Sequence, residues 1–289
     1  MRKIVLIILI MALAVGGIYL AYVRAHREQA ISGPALKTRF LDERFGNAVV
    51  ARTPEGKVVV IDPAPGRAAD ALIGMLRDER VRKVIVIISN PTRDRADVLA
   101  TIQKTIKVSQ IIRPELGTAT AMWAGWLRRE KWQPVPETIL ARGDSTRLSP
   151  KVRLEALNPA EKPAPRGGDD NSLVFRLRFG NKSILFPSDI RTEGEADVIG
   201  SGIDLESSVL VVGRHGRYES TSLEFLSMVR PEICVISAQR GSHKPASSVL
   251  NRLSTINTGA PLFRTDKDGI IEIDTNGRSI QVLTGGGGP

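Results

Sequence analysis

Runs of β-branched residues alternate with amphipathic stretches along most of this chain, and this alternation restricts the folds open to it. The first half predicts strands at 38–42, 47–53, 57–62, 83–89 and 109–115. Between them it predicts helices near 67–80, 94–107 and 118–132. The second half repeats the pattern, ending in a helix near 246–257 and two short strands. Two strand-rich halves with helices outside predict an α/β fold, a four-layer αββα sandwich with two sheets inside.

An uncharged apolar segment at residues 4–22 precedes this region and approaches the roughly 20 residues needed to cross a bilayer. Arg24 and Arg27 follow it. A signal peptide cleaved after Ala14 is the competing interpretation. Because the apolar run continues past that position, we expect an uncleaved, single-pass membrane anchor.

The chain therefore divides into four predicted parts. These are a transmembrane signal anchor (1–27), a linker (28–36), one α/β domain (37–284) and a disordered tail (285–289). The helix near 118–132 carries all three tryptophans, and their helical spacing favours a role in the core over a base-stacking platform.

The chain is basic, with a formal net charge of +10, of which the first 30 residues contribute +3 and the remainder +7. Such an excess favours anionic partners, nucleic acid or lipid head groups, although the same charge can serve solubility alone. Cys234 is the one cysteine, which excludes an internal disulfide and a site built from several thiolates.

Polar residues follow several predicted strands, namely Asp62, Asp94, Asp189 and His215. Carboxyl ends of strands meet at one edge of a sheet, and carboxylates with an imidazole suit a divalent metal. Aspartate after a strand is also common as a turn residue or helix N-cap, so a purely structural role stays open.

Several motifs in order resemble the metallo-β-lactamase-like domain of ComEC-type competence proteins, over about residues 38–280. The matching segments are LDERFGNA (41–48), VIDPAPG (60–66), DDNSLVFRLRFGNKSILFPSD (169–189), VLVVGRHGRYESTSLEFLSMVRPEICVISA (209–238), HKPASSVLNRL (243–253) and FRTDKDGIIEI (263–273). The resemblance implies a metallo-β-lactamase-like αββα fold and a connection with DNA uptake. It also implies a bacterial inner-membrane protein, and we expect its domain to lie outside the cytoplasm, although basic residues flank both ends of the anchor.

The metal-binding loop of that family departs from its pattern here. The family has three histidines and an aspartate in this loop, whereas this chain reads SNPTRDR (89–95). Asn90, Thr92 and Arg95 stand at the histidine positions, and Asp94 matches the aspartate. Zinc prefers imidazole and thiolate ligands, and a permanently charged guanidinium repels a cation.

The resemblance thus implies a vestigial site comprising Asp62, Asn90, Thr92, Asp94, Arg95, Asp189, His215 and His243. We expect no cofactor; a single divalent metal, if one binds, would use Asp94, Asp189 and His215. We expect Arg95 or Arg93 to take the place of the metal and to pair with Asp94 and Asp189.

Two functions follow from these observations. The first is a membrane-anchored pseudoenzyme that acts as a binding or scaffold module, with DNA or envelope proteins as partners. The second is a metal-dependent hydrolase, a phosphodiesterase or nuclease, with an altered mononuclear site. The loss of histidines at 90, 92 and 95 favours the first.

Overall fold

The computed structural model describes residues 31, 33–42, 44, 48–163, 168–238, 244–256 and 260–285. The predicted anchor at residues 4–22 lies outside the described residues, as do residues 28–30 and 32 of the predicted linker and residues 286–289 of the predicted tail. Within the part of the chain that is described, no helix is long and apolar enough to cross a membrane.

The described residues form fifteen strands. In chain order they are β1 (Leu36–Phe40), β2 (Val49–Arg52), β3 (Val58–Ile61), β4 (Lys83–Ile87), β5 (Lys107–Pro114), β6 (Glu137–Leu140), β7 (Ser145–Arg147), β8 (Val152–Asn158), β9 (Val174–Phe179), β10 (Lys182–Phe186), β11 (Val209–Val211), β12 (Ile233–Ile236), β13 (Leu262–Arg264), β14 (Ile271–Thr275) and β15 (Ile280–Thr284). The first sheet has the order β15-β14-β1-β2-β3-β4-β5-β6, and the second has the order β13-β12-β11-β10-β9-β8-β7.

Helices connect these strands. In chain order they are α1 (Arg67–Asp78), α2 (Arg93–Gln103), α3 (Thr120–Arg129), α4 (Thr192–Gly200), α5 (Leu223–Val229), α6 (Ser247–Ile256) and α7 (Thr265–Asp268). Short 3₁₀ turns occur at Gly117–Ala119, Gly168–Asn171 and Gly213–Gly216.

Parallel pairing brings the strand ends together. Strands β3 to β6 are parallel in the first sheet, and β10 to β13 are parallel in the second. Strand β1 runs in the same direction as β3, because both are antiparallel to β2. The loops that follow β3 and β4 therefore lie at one edge of the first sheet, where α/β proteins commonly place their sites.

Side chains from both sheets meet in a central apolar layer. Phe40 of the first sheet and Phe175 and Phe186 of the second are buried there, and the rings of Phe175 and Phe186 stack with centroids 4.7 Å apart. The outer face of the first sheet packs against α1, α2 and α3, and that of the second against α4, α5 and α6. The predicted α/β αββα sandwich is confirmed for the described residues.

The tryptophan-bearing helix packs as predicted, since Trp123 and Trp132 are buried and Trp126 packs against the same cluster. Four strands were not predicted, namely β6, β7, β8 and β13. Strands β6, β7 and β13 are edge strands of three or four residues, too short for a clear apolar alternation. Strand β8, VRLEALN, does alternate, so its signal was present in the sequence.

Candidate functional site

A cavity of about 80 Å³ lies where the carboxyl ends of strands from both sheets face each other. Its lining comes from the ends of β3, β4, β10, β11 and β12, from the turn after β11 and from the starts of β2 and α2. The lining residues are Val49, Ile61, Asp62, Ser89, Arg95, Phe186, Ser188, Asp189, Val211, Val212, Arg214, His215 and Ser237. The structure thus brings Asp62, Asp189 and His215 together, as the strand-end argument predicted, while Asp94 does not line the cavity.

Asp62 follows β3 in a left-handed backbone conformation with φ of 47°. Its carboxylate accepts two hydrogen bonds from Ser89, one from the backbone amide at 2.8 Å and one from the hydroxyl at 2.5 Å. Burial raises the pKa of Asp62, with a smaller upward influence from the Asp189 carboxylate, and the positive charge of Arg95 opposes the shift only in part. Asp62 therefore joins the ends of β3 and β4, and its charged form is disfavoured.

Asn90 connects the two sheets. Its side-chain Nδ2 donates to Oδ1 of Asp169 at 3.1 Å and to Oδ2 of Asp189 at 3.2 Å. Asp189 follows the second-sheet strand β10, whereas Asn90 follows the first-sheet strand β4. An amide can donate two hydrogen bonds without charge, so Asn90 separates two carboxylates that would otherwise repel each other.

Arg95 does not make the ion pairs that the sequence suggested. Its Nη1 donates to the backbone carbonyl oxygens of Asp62, at 2.9 Å, and of Pro63. Among the described residues, Arg95 forms no salt bridge with Asp94 or Asp189. The expectation that Arg95 or Arg93 pairs with those carboxylates is therefore wrong. The physical reason is geometric, because α2 begins close to the β3 loop and its first turn directs Arg95 onto the backbone that follows β3.

Thr92, Arg93 and Asp94 begin α2 at the surface. All three are exposed, and the Thr92 hydroxyl does not cap the helix. Asp94 makes no hydrogen bond or ion pair with a described residue. A negative charge in the first turn of a helix complements the helix dipole, which is sufficient reason for an aspartate at this position. The structure thus separates Asp94 from Asp189 and His215.

Arg214 is the cation that contacts the Asp169 carboxylate. Its Nη1 donates to Oδ2 of Asp169 at 2.8 Å and to the backbone carbonyl of Asp189 at 2.7 Å. Its Nε lies 4.0 Å from Oε2 of Glu219. Burial by itself would raise the pKa of Asp169, but the hydrogen bond and charge of Arg214 outweigh it, so the pKa of Asp169 lies below its ordinary value.

His215 follows Arg214 in a turn where both residues have positive φ, 49° for Arg214 and 56° for His215. Its Nδ1 lies 2.7 Å from the carbonyl oxygen of Ser237. A carbonyl oxygen can only accept, so Nδ1 carries a proton and Nε2 is the nitrogen left for other partners. His243, the remaining predicted site residue, lies outside the described residues.

A buried carboxylate braces the loop that carries Arg214 and His215. Glu195 of α4 is fully buried and accepts hydrogen bonds from the backbone amides of Thr221 and Ser222, the latter at 2.8 Å. Burial raises the pKa of Glu195. From the other side, Arg252 donates to the carbonyl oxygens of this loop.

Sequence reasoning missed several of these contacts. Asp169 entered the sequence analysis only as the first residue of the matching segment 169–189, yet it accepts hydrogen bonds from both Asn90 and Arg214. Its signal was the carboxylate pair Asp169–Asp170 directly before β9. Arg214 stands directly before His215 in the matching segment 209–238, and it was not expected to contact a carboxylate. No local signal identifies Glu195 as a brace, because its partners are about 26 residues away.

The donor set of this cavity does not fit the two metal ions that the fold family implies. Among the described residues, no group of three or more His, Cys, Asp and Glu side chains could hold a metal ion. Two guanidinium groups, Arg95 and Arg214, line the same cavity as the two carboxylates. Cationic side chains in the same cavity oppose the binding of a divalent cation.

Comparison with known proteins identifies relatives for much of the chain. It is 26% identical over 189 residues to ComE operon protein 3 of Bacillus subtilis (strain 168). The aligned region covers 65% of this chain and 24% of that protein. It is 37% identical over 126 residues to competence protein ComA of Neisseria gonorrhoeae. That aligned region covers 42% of this chain and 18% of the relative. The chain thus spans about a quarter or less of the length of these relatives. No family model matches it.

Among solved structures, the chain is similar to a crystal structure from Parabacteroides distasonis assigned as a metal-dependent hydrolase. The TM-score is 0.50 and the identity 15%, with 80% of this chain and 93% of that chain covered. At this identity the similarity supports the fold alone. Together with the two relatives, it confirms the resemblance to the metallo-β-lactamase-like domain of ComEC-type competence proteins.

Proposed function

We propose that this chain is a membrane-anchored binding or scaffold module in which arginine and asparagine side chains have replaced the metal ions of a hydrolase. The anchor is the apolar segment at residues 4–22. DNA is the ligand class that the basic domain and the names of the two competence relatives favour. The fold is retained in this proposal and the hydrolytic reaction is not.

The bridge that Asn90 and Arg214 form over Asp169 and Asp189 carries this proposal. Asn90 donates to both carboxylates, and Arg214 donates to the Asp169 carboxylate and the Asp189 carbonyl. Asp189 lines the cavity and Asp169 lies beside it, and in a hydrolase of this fold such carboxylates would be free to bind cations. Here their hydrogen-bonding capacity is directed to protein donors, and a metal would have to displace them.

The size of the cavity also supports a non-catalytic role. Its volume of about 80 Å³ holds a few water molecules. Pockets that enclose a small-molecule ligand are usually on the order of 300–1,000 Å³. A nucleotide or a phosphodiester segment would therefore not enter it without movement of Arg95 or Arg214. The ligand of a binding module with this cavity contacts the outer surface instead.

One observation favours the alternative, a hydrolase with a single metal. His215 directs Nδ1 to the Ser237 carbonyl, and metal-binding histidines commonly hold the second ring nitrogen in this way. Asp189 lines the same cavity. These two residues offer one imidazole and one carboxylate, fewer than the three protein ligands of most catalytic zinc sites.

Metal analysis of the full chain, purified without chelator, separates the two functions. We expect less than one tenth of a metal ion per chain for zinc, manganese and iron. We also expect no hydrolysis of DNA or of an activated phosphodiester after zinc or manganese is added. Stoichiometric metal that His215→Ala removes, together with metal-dependent hydrolysis, would replace the binding module by the mononuclear hydrolase.

DNA binding is tested by the salt dependence of affinity. We expect the affinity for duplex or single-stranded DNA to fall steeply with salt, since binding releases about one counterion for each phosphate contacted. An affinity that does not change with salt, or no binding at low salt, would contradict DNA as the ligand and favour an envelope protein as the partner.

A further inference from the structure

We propose that the amino-terminal edge of the first sheet docks on anionic phospholipid head groups. This edge lies at the ends of the strands opposite the cavity. The inference rests on the membrane anchor of the proposed function but concerns a different surface, and it is independent of whether the cavity is catalytic.

Exposed cations line the three connections that lead into β4, β5 and β6. They are Arg80, Arg82, Lys83, Lys104, Lys107 and Lys131. Parallel pairing places these connections side by side, and Lys83 is the direct register partner of Lys107. The backbone amide of Lys107 donates to the carbonyl of Arg82 at 3.1 Å, which joins the first two connections.

None of these six side chains forms a hydrogen bond or ion pair with a described residue. The neighbouring cations Arg39 of β1 and Arg52 of β2 behave differently, since both pair with Glu79 at the start of the first connection. Two carboxylates without an ion pair to a described residue lie beside these cations, Asp78 at the end of α1 and Glu130 directly after α3. The positive charge of this edge is therefore in excess and faces solvent.

Helix dipoles explain only part of this charge. Arg80, Lys104 and Lys131 follow the carboxyl ends of α1, α2 and α3, where a cation is favoured. Arg82, Lys83 and Lys107 instead lie at the starts of strands, beyond the last helical turn. Helix stability gives no reason for cations there, so those three residues point to an external anion.

The path of the chain identifies which anion lies nearby. Strand β1 begins at Leu36, and this start lies at the same edge. The strand register shows it, because Lys37 lies opposite Arg52, Arg52 opposite Val58, and Val58 opposite Val84. Three strand spacings, about 14 Å, separate β1 from β4. Residues 23–35 separate Leu36 from the predicted span and can reach at most about 45 Å. A bilayer holding the anchor is thus within reach of this edge.

Lipid is favoured over nucleic acid as the occupant for this reason. Each Lys or Arg near an anionic membrane surface strengthens association about fivefold, within a screening length of about 10 Å at 0.1 M salt. Docking in this orientation would turn the carboxyl edge, with Asp189 and His215, away from the bilayer. The candidate site would then face a partner in solution.

Fluorescence quenching of the full chain in lipid nanodiscs tests the docked orientation. A fluorophore on Thr105→Cys reports on the basic edge, and one on Thr92→Cys reports on the opposite edge; both positions are exposed. Buried Cys234 in the unmodified chain provides the labelling background. The discs contain phosphatidylcholine with or without phosphatidylglycerol, and a head-group quencher.

We expect the Thr105 probe to be quenched at least threefold more than the Thr92 probe in phosphatidylglycerol discs. The difference should disappear in phosphatidylcholine alone or in 1 M salt, where screening acts within about 3 Å. A triple variant should lower the ratio of docked to undocked chain on the order of 100-fold. It combines Arg82→Gln, Lys83→Gln and Lys107→Gln. The matched control neutralises three exposed cations at the other edge, Arg67, Arg93 and Lys162, and should leave the ratio unchanged.

Equal quenching of the two probes in anionic discs would overturn the docking proposal, as would equal effects of the two triple variants. If the lipid discs do not quench the Thr105 probe but a DNA duplex protects that probe from a soluble quencher, the edge binds nucleic acid and not lipid. A chain that fails to enter discs yet sediments with anionic vesicles at low salt would overturn the anchor and support the docking surface. A chain that binds neither would overturn both.

Discussion

The side-chain amide of Asn90 lies 3.2 Å from the carboxylate of Asp189, and this hydrogen bond joins the ends of two strands that belong to different sheets. The same Nδ2 donates to Asp169. A neutral donor between two carboxylates lowers their mutual repulsion without adding charge. The contact therefore stabilises the two carboxylates. Neither a metal bound by histidines nor an arginine is needed between Asp169 and Asp189.

Asn90→Asp tests this role directly. A third carboxylate beside Asp169 and Asp189 should lower the free energy of unfolding at neutral pH by about 1–3 kcal/mol, and added divalent cation or acid should recover part of it. Urea unfolding at pH 7 and pH 5, with and without Mg²⁺, measures the change. Asn251→Asp, the same substitution at an exposed position on α6, is the control and should change little. Equal losses in both variants would contradict the assignment.

Arg214→Met removes the cation from Asp169 while keeping an unbranched apolar stem. We expect a loss of about 2 kcal/mol in unfolding free energy, because a buried charged hydrogen-bond donor is lost, and the pKa of Asp169 should rise toward its ordinary value. Arg230→Met breaks an ion pair with Glu206 in which both side chains are more than 60% exposed, and such a pair contributes little. Similar losses in the two variants would show that Arg214 acts only as a surface cation.

The ionisation of Asp62 should make stability depend on pH. Its pKa is raised in the folded state, so the folded state holds a proton that the unfolded state releases near pH 4. This contribution is fully present below that pH and is lost as the pH rises through the folded-state pKa. Asp62→Asn should flatten this part of the curve of unfolding free energy against pH. A curve with unchanged slope in the variant would mean that burial does not shift Asp62.

Glu195→Gln tests the brace under the Arg214–His215 turn. The amide nitrogen would face a backbone N–H, so one of the two hydrogen bonds from Thr221 and Ser222 should be lost, at a cost of about 2 kcal/mol. Hydrogen exchange of residues 213–222 should speed up. Glu193→Gln, at an exposed position of the same helix, should leave exchange unchanged. Faster exchange throughout the second sheet in Glu195→Gln would indicate general destabilisation and not a local brace.

Much of the architecture was predictable because it depends on short-range patterns. The buried runs VVVI and KVIVI identify β3 and β4, and helical spacing of Leu72, Ile73 and Leu76 identifies α1. The convergence of Asp62, Asp189 and His215 followed from their places after strands, since parallel strands end at a common edge. The same argument was wrong for Asp94, which lies six residues beyond Ile88 on the first turn of α2. The direction of its side chain is set by the helix and not by the end of the strand.

The chain alone therefore carried the α/β sandwich, the resemblance to competence proteins and the absence of histidines at positions 90, 92 and 95. Which donors meet the carboxylates was decided by tertiary structure. Arg95 looked like the replacement for a metal because it stands in the altered loop, yet Arg214, more than 110 positions later, contacts Asp169. Charge pairing depends on distances of a few ångströms between loops of different sheets, and no pattern along the chain records those distances.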